Sequence, residues 1–306
     1  MLMSLARVCV LLSTYNGETY LAEQLDSLLR QENVTLCVRV RDDGSTDGTQ
    51  RVLETYRKRF PDVLEWTQGK ENLRAARSFM ELVQTAPDAD YYAFCDQDDV
   101  WDSDKLICAV RAMEAREPGR PLLYYSNVRV VDASLALIEQ SDISPAEVRL
   151  RRALLHNVVI GCTAVMNRVL REALCAYTPD FTEMLHDWWA VKVCLALGGE
   201  TVFDPVPHMG YRQHGQNVLG FYDKPTRSLR DVLFTRPPCS ISRCAGELLA
   251  AYGDAIPAEC REAVAVLAGY RADPRLKWRL LTDNGYYASD RRERLKEKLS
   301  VLRGRK

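Results

Sequence analysis

Apolar residues recur along the first half of this chain in two alternating rhythms. Val8 to Leu12 is an uninterrupted apolar run, the pattern of a strand buried on both faces. Thr19 to Leu29 follows with Leu21, Leu25, Leu28 and Leu29 at helical spacing. Thr35 to Val40 is β-branched and apolar and predicts a second strand. Asp47 to Phe60 carries Val52, Leu53 and Tyr56 at helical spacing, and Pro61 stops it. Val63 to Thr67 predicts a third strand, Ala75 to Val83 a helix, Tyr91 to Cys95 a fourth strand and Lys105 to Ala115 a helix. Leu122 to Val131 reads as a longer strand.

Strands alternating with helices imply parallel pairing with right-handed crossovers. Ligands of such sheets bind beyond the carboxyl ends of the strands. Three polar segments stand at such ends: Ser13-Thr14-Tyr15-Asn16, Asp42-Asp43-Gly44, and Asp96 to Asp99.

The second half is less regular. Val158 to Met166 reads as a strand containing Gly161, and Val169 to Ala176 and Trp188 to Leu197 as helices. From about residue 227 the pattern is mostly helical, at Asp231 to Phe234, Cys244 to Tyr252, Glu259 to Tyr270 and Arg291 to Leu302. Thr235-Arg236-Pro237-Pro238 marks a break before a helical appendix. There is no internal repeat and no low-complexity tract.

The 306 residues are 47% hydrophobic, enough for one large domain or two smaller ones. The net charge of -1 gives the whole chain no nucleic-acid signature, and no nucleic-acid partner is expected. The ten cysteines include no C-x-x-C pair, and Cys9, Cys37 and Cys95 sit in apolar runs as small hydrophobes. Free thiols and a first strand with no secretory signal before it predict a reducing, cytoplasmic setting.

The sharpest chemistry lies in Phe94-Cys95-Asp96-Gln97-Asp98-Asp99-Val100-Trp101. Three carboxylates in four residues repel one another unless a cation neutralises them. Acidic oxygens at a strand end suit Mg²⁺ or Mn²⁺, which often bridge a protein to a diphosphate. The competing reading is a solvated turn that caps the next helix. Similarly, Asp42 or Asp43 can accept hydrogen bonds from a base or ribose, or the Asp42-to-Thr49 segment is only a turn and cap. Asp47 suits the helix dipole and reads as structural.

Taken together, Leu12-Ser13-Thr14-Tyr15-Asn16-Gly17, Asp42-Asp43-Gly44-Ser45-Thr46-Asp47-Gly48-Thr49 and Asp96-Gln97-Asp98-Asp99 resemble family 2 glycosyltransferases in wording, order and spacing. The resemblance covers about residues 6 to 220. It implies the GT-A fold: a mixed, mostly parallel sheet flanked by helices, here as residues 1–222, with a helical C-terminal region over 223–306. It also implies a divalent metal and a nucleotide diphosphate-sugar donor, dTDP- or UDP-linked. Carried over by motif, Thr14 and Asp43 line the nucleoside pocket with Tyr15 close by. Asp98 holds the metal, Asp96 faces the ribose or the metal shell, and Asp99 is an extra acid that either caps the next helix or touches the ligand.

Asn72-Leu73-Arg74-Ala75-Ala76-Arg77 resembles the family's Asn-x-Gly segment, except that Arg74 stands where glycine is usual. Arg77 could counter a phosphate or be a solvated arginine. In His186-Asp187-Trp188-Trp189, Asp187 occupies the place of the family's base, with helix capping as the alternative. His186 is a weaker candidate. Trp188 and Trp189 offer faces for a sugar or belong to the core. Gly161-Cys162-Thr163 resembles the acceptor-facing loop, or is sheet packing. Tyr211-Arg212-Gln213-His214-Gly215-Gln216-Asn217-Val218 resembles a segment of bacterial rhamnosyltransferase-like members. There His214 is a third metal ligand, Arg212 a diphosphate binder, and the donor tilts toward dTDP-rhamnose or a related deoxysugar.

Residues 271–306 hold twelve basic and five acidic residues, interleaved with leucines and Trp278. Such a tail can lie on an anionic membrane surface, as a peripheral contact near a lipid-linked acceptor. The alternative is a helix pair with a solvated basic face. The implied activity is metal-dependent, inverting transfer of one sugar to a glycan or lipid-linked glycan in cell-surface polysaccharide assembly. Two rivals stand beside it. A nucleotidyltransferase needs a glycine-rich basic phosphate loop, which Ser13-Thr14-Tyr15-Asn16-Gly17-Glu18 does not supply. A catalytically inactive binding module is opposed by the intact acids.

Overall fold

The computed structural model describes residues 5–142, 148–157, 159–180, 184–215 and 241–302. Two sheets organise it. The larger has seven strands in the order β10-β6-β9-β4-β1-β2-β3. Its centre is β1 (Arg7–Thr14), which pairs in parallel with β2 (Thr35–Asp42) and with β4 (Tyr91–Cys95). β3 (Leu64–Gln68) extends one edge in parallel. β9 (Val165–Asn167) runs antiparallel between β4 and β6 (Leu122–Ser126), and β10 (Glu200–Asp204) closes the other edge.

The apolar run in β1 is continuous because both faces are covered. Val8, Val10 and Leu12 point into a core formed with α1 (Leu21–Leu28), α2 (Thr49–Arg59) and α4 (Lys105–Glu114). Cys9 and Leu11 point into a second core with α3 (Arg74–Thr85), α6 (Arg168–Ala176) and α7 (His186–Ala196). Truncating Leu11 or Leu12 to alanine would cost about 2–5 kcal/mol.

The smaller sheet has the order β5-β11-β7-β8. β5 (Val100–Trp101) pairs antiparallel with β11 (Met209–Arg212), which pairs in parallel with β7 (Arg129–Val131). β8 (Leu137–Gln140) lies at its edge. The long strand expected over Leu122 to Val131 is thus two strands in two sheets. The break falls at Asn127, where side chains replace ladder partners: Ser141 Oγ accepts the Val128 amide at 2.8 Å and Asn127 Nδ2 donates to the Pro205 carbonyl at 3.1 Å. The strand expected from Val158 to Met166 also shortens. Residue 158 lies outside the described residues, and Gly161–Thr163 form a 3-10 turn closed by Thr163 Oγ1 on the Ile160 carbonyl at 2.7 Å.

The C-terminal helices are α8 (Ile241–Tyr252), α9 (Ala258–Gly269), α10 (Pro274–Thr282) and α11 (Arg291–Leu302). Ile241, Cys244, Leu248, Val264 and Leu267 enter the same core as α3 and α7. α11 is clasped to α5 (Leu150–Leu155) by the largely buried Glu297, which meets Arg152 Nη1 and His156 Nε2, each at 2.8 Å. Leu280, Tyr286 and Val301 are buried, whereas Trp278, Leu295 and Leu302 are exposed. The boundary expected at 222–223, the helix at Asp231 to Phe234, the break at 235–238 and the last four basic-tail residues lie outside the described residues. Among the described residues, no helix is long and apolar enough to cross a membrane.

Candidate active site

The register of the large sheet brings its polar strand ends together. β1 and β2 stay paired to Thr14 and Asp42, and β4 pairs with β1 as far as Cys95. Gln97 then ties the first end to the third. Its Oε1 accepts from Thr14 Oγ1 at 2.6 Å and the Tyr15 amide at 2.9 Å, while its Nε2 donates to the Tyr15 carbonyl at 3.2 Å. Asn16, at φ 49°, ties the first end to the second by accepting the Thr46 amide at 2.9 Å. Asp42 is held within its own turn by the Ser45 amide at 3.1 Å and Gln50 Nε2 at 2.8 Å. Asp47 accepts the Thr49 and Glu18 amides, as its structural reading expected.

The acidic turn is held by the small sheet. β5 continues from it and pairs with β11, which lays the Arg212 amide on Asp99 Oδ1 at 3.1 Å and carries the chain on to His214, whose Nε2 is 2.8 Å from Asp98 Oδ2. Asp96 is partly exposed, but burial of its carboxyl and the charges of Asp98 and Asp187 push it up to about 7. Asp99 is fully buried, its Oδ2 has no hydrogen-bond partner among the described residues, and burial together with Asp98 and Asp96 drives it well above the usual carboxylate range. It does not cap α4, which Asp104 precedes.

These residues fit a hard divalent cation. Three crowded carboxyls with one orphaned oxygen want a positive charge, and an imidazole already contacts one of them. The donors fall in two groups. Asp98 meets His214, while Asp96 and Asp99 lie with Cys162, donor atoms within 4.8 Å. Cys162 is a poor ligand for Mg²⁺ or Mn²⁺, and burial pushes its thiol far up, so it stays protonated.

Asp187 lies across the Gly161–Thr163 turn from this cluster. It opens α7, is 5% exposed, and accepts Asn157 Nδ2 at 2.9 Å. Burial pushes its carboxyl up to about 6, against the hydrogen bonds from Asn157 and nearby amides. A Cβ on Gly161 would stand 3.3 Å from Asp187 Cβ and 3.4 Å from Asp187 Oδ2, so the missing side chain keeps the carboxyl uncrowded. The site therefore pairs an acid cluster at the strand ends with a separate carboxylate suited to proton abstraction near neutral pH.

Residues 9–174 match the profile of glycosyl transferase family 2. The chain belongs to that family. It is similar to the dTDP-rhamnosyl transferase RfbG of Shigella flexneri, 26% identical over 226 residues, covering 68% of this chain and 73% of the relative. It is also similar to the putative teichuronic acid biosynthesis glycosyltransferase TuaG of Bacillus subtilis, 30% identical over 159 residues, covering 52% and 61%. Among solved structures, S. aureus TarS 1-349 in complex with UDP-GlcNAc superposes with a TM-score of 0.58 at 18% identity, over 98% of this chain and 82% of that one. The mannosyltransferase PcManGT from Pyrobaculum calidifontis, in complex with GDP-Man and Mn²⁺, superposes at 0.53 and 19% identity, over 98% and 81%. The fold is GT-A, and the chain is a glycosyltransferase.

In this glycosyltransferase several expected ligand contacts are already engaged within the protein. Asp43 is buried and its two oxygens accept the amides of Leu73 at 2.9 Å and Arg74 at 2.8 Å, besides pairing with Arg41. Arg212 calls for a correction. Its guanidinium is 2% exposed, donates to the carbonyls of Asp98 and Ala133 and to Glu23, and lies over the Tyr20 ring, so it braces the acidic turn rather than awaiting a diphosphate. Arg77 is half exposed and pairs with Asp180 at 3.4 Å. Thr14 is buried and Tyr15 is 47% exposed at the strand edge.

His186 is ring-stacked on Phe79 at 3.9 Å and edge-on to Phe94, and burial pushes its imidazole down to about 3. It fills the core as a neutral ring. Trp189 is fully buried, and Trp188 Nε1 donates to the Ala153 carbonyl at 2.9 Å. The core reading of this pair holds for Trp189. Gln97 lies inside the acidic motif without a role assigned to it there, while Asn157 and the buried Lys105, pushed down to about 8 by desolvation, belong to no motif.

Arg74 has φ 62°, a left-handed conformation that glycine reaches without strain. Its amide still reaches Asp43, so the departure from the family pattern leaves the backbone path intact. Arg74→Gly is expected to raise stability by about 0.5–1 kcal/mol, strain relief exceeding the added chain entropy. Urea unfolding measures it.

Proposed function

We propose that this glycosyltransferase transfers one sugar, with inversion, from a nucleotide diphosphate-sugar to a hydroxyl of a glycan or lipid-linked glycan. The observation that carries the reading is the buried, proton-seeking Asp187 placed across the Gly161–Thr163 turn from the acid cluster. Asp98 with His214 and Asp96 would hold Mg²⁺ or Mn²⁺, which when bound supplies positive charge to the leaving diphosphate. Thr14, Tyr15 and Asp43 define the nucleoside end, with Gln97 fixing the loop against the acids. Asp187 takes the acceptor proton as the hydroxyl oxygen attacks the anomeric carbon, and Asn157 holds the carboxylate by one oxygen. The RfbG likeness favours dTDP-rhamnose or a related deoxysugar as donor, and the TuaG likeness a role in cell-surface polysaccharide assembly.

The exposed Trp278, Leu295 and Leu302 among basic residues support a peripheral contact with an anionic membrane on the cytoplasmic side, near a lipid-linked acceptor. Co-sedimentation with anionic vesicles, absent with neutral ones, tests it.

The donor is tested by thermal shift with dTDP-rhamnose, UDP-GlcNAc and GDP-mannose, each with and without Mn²⁺. One donor should raise the midpoint by mass action only when Mn²⁺ is present. No shift with any sugar nucleotide would sink the reading. The pH profile follows from Asp187, which must be ionised to accept a proton. Transfer kcat should therefore rise with pH through about 6 and level off above 7. A flat profile from pH 5 to 8, measured with saturating donor, would contradict its role.

A further inference from the structure

Away from the acid cluster, a second group of metal-type donors joins α4 to the approach of β11. His208 Nδ1 lies 3.0 Å from Asp104 Oδ1, and Cys108 Sγ lies 3.8 Å from Asp104 Oδ2. Donor atoms from Asp104, Cys108 and His208 all fall within 4.8 Å of one another. Asp104, at the N-cap position of α4, and Cys108 in its first turn stand four residues apart, so both face His208 from the start of the helix.

We propose that Asp104, Cys108 and His208 form a zinc site separate from the donor site. Three features argue for it. First, the spacing is close to what the ion needs: ligand atoms about 2.0–2.3 Å from a tetrahedral zinc lie roughly 3.3–3.8 Å apart. Second, the donor set of one thiol, one imidazole and one carboxylate selects zinc over Mg²⁺ or Mn²⁺. Third, the far nitrogen of His208 is backed by a carboxylate outside the group. His208 Nε2 lies 3.3 Å from Asp204 Oδ2, which also accepts the Tyr124 hydroxyl at 3.0 Å. Metal-binding histidines are characteristically oriented by such a partner, which fixes Nδ1 as the free lone pair. His208 is buried while Asp104 is more than half exposed, which leaves water a route to the fourth position.

The site has a structural consequence. The Asp102 amide also donates to the His208 carbonyl at 3.0 Å, so this corner already fastens the chain after the acidic turn to the strand that ends at Arg212. A bound ion would lock that fastening, with release of the Cys108 thiol proton on binding.

The competing explanation is His208 hydrogen-bonded between Asp104 and Asp204 with no metal. Titration of the full chain with Co²⁺, in excess Mg²⁺ to fill the oxygen-rich donor site, separates the two. We expect one equivalent of Co²⁺ with a sulfur-to-cobalt charge-transfer absorption that Zn²⁺ abolishes. Cys108→Ser should lose the absorption, Asp104→Asn should weaken Co²⁺ binding at least about tenfold, and Asp98→Asn should leave both unchanged. No such absorption in the wild type, its survival in Cys108→Ser, or its loss in Asp98→Asn would each overturn the assignment. The exposed Asp104 provides a variant that does not disturb the core, so a folding defect in one variant does not decide the matter.

Discussion

Asp187→Asn is expected to lower kcat for sugar transfer by about 10²–10⁴-fold, the usual worth of a positioned base, with donor affinity nearly unchanged. The sign of the titration argues against inactivation by misfolding. The carboxyl sits at about 6 in the folded protein against an ordinary 3.8. Its raised value means that it contributes stability below pH 4, and that this contribution is lost as pH rises through 6. At pH 7 the buried charge costs on the order of 2–3 kcal/mol, which the neutral amide avoids while giving up about one hydrogen bond. The variant should therefore melt no lower than the wild type at pH 7 and be slow. Transfer within about threefold of wild type would remove Asp187 as the base.

Asp98→Asn is expected to act on the other side of the reaction. Loss of the carboxylate that meets His214 should weaken Mn²⁺-dependent donor binding and lower transfer by about 10³-fold, the several kcal/mol that a metal supplies. Donor thermal shifts in Mn²⁺ should shrink toward their metal-free values. The contrast with Asp99→Asn is informative. Asp99 is fully buried against the Arg212 amide, so its loss should change the melting temperature as well as turnover. If Asp98→Asn keeps its Mn²⁺ response, the ion is held by Asp96 and Asp99 instead.

Most of the first half of the fold was legible because its signals are local. β1 and β4 are apolar on both faces, and the helices between the strands carry apolar residues at helical spacing, so each element declares itself within a dozen residues. The acids at the strand ends follow from the same pattern. The small sheet was not legible. β7 and β11 are three and four residues long, and what holds them is pairing with partners far along the chain. Leu122 to Val131 looks like one strand because nothing in its own composition announces that Asn127 and Ser141 will redirect it. Arg212 misled for a related reason. An arginine near acids suggests a phosphate, but its acceptors are two backbone carbonyls and Glu23, which only the folded chain brings together. Gln97 and Asn157 were missed because an amide side chain carries no spacing signature until its partner is known.

The grip of Glu297 on Arg152 and His156 bears on how such enzymes can be recombined. His156 adjoins Asn157, the residue that holds the carboxylate of Asp187. A hybrid in which the last helices come from a relative would therefore inherit a foreign partner for the residue next to Asn157. The crossover belongs upstream of residue 150, so that α5, Asn157 and α11 travel as one cassette. Joined near residue 240 instead, the hybrid would keep its acid cluster and lose the alignment of its base, binding donor well while transferring it poorly.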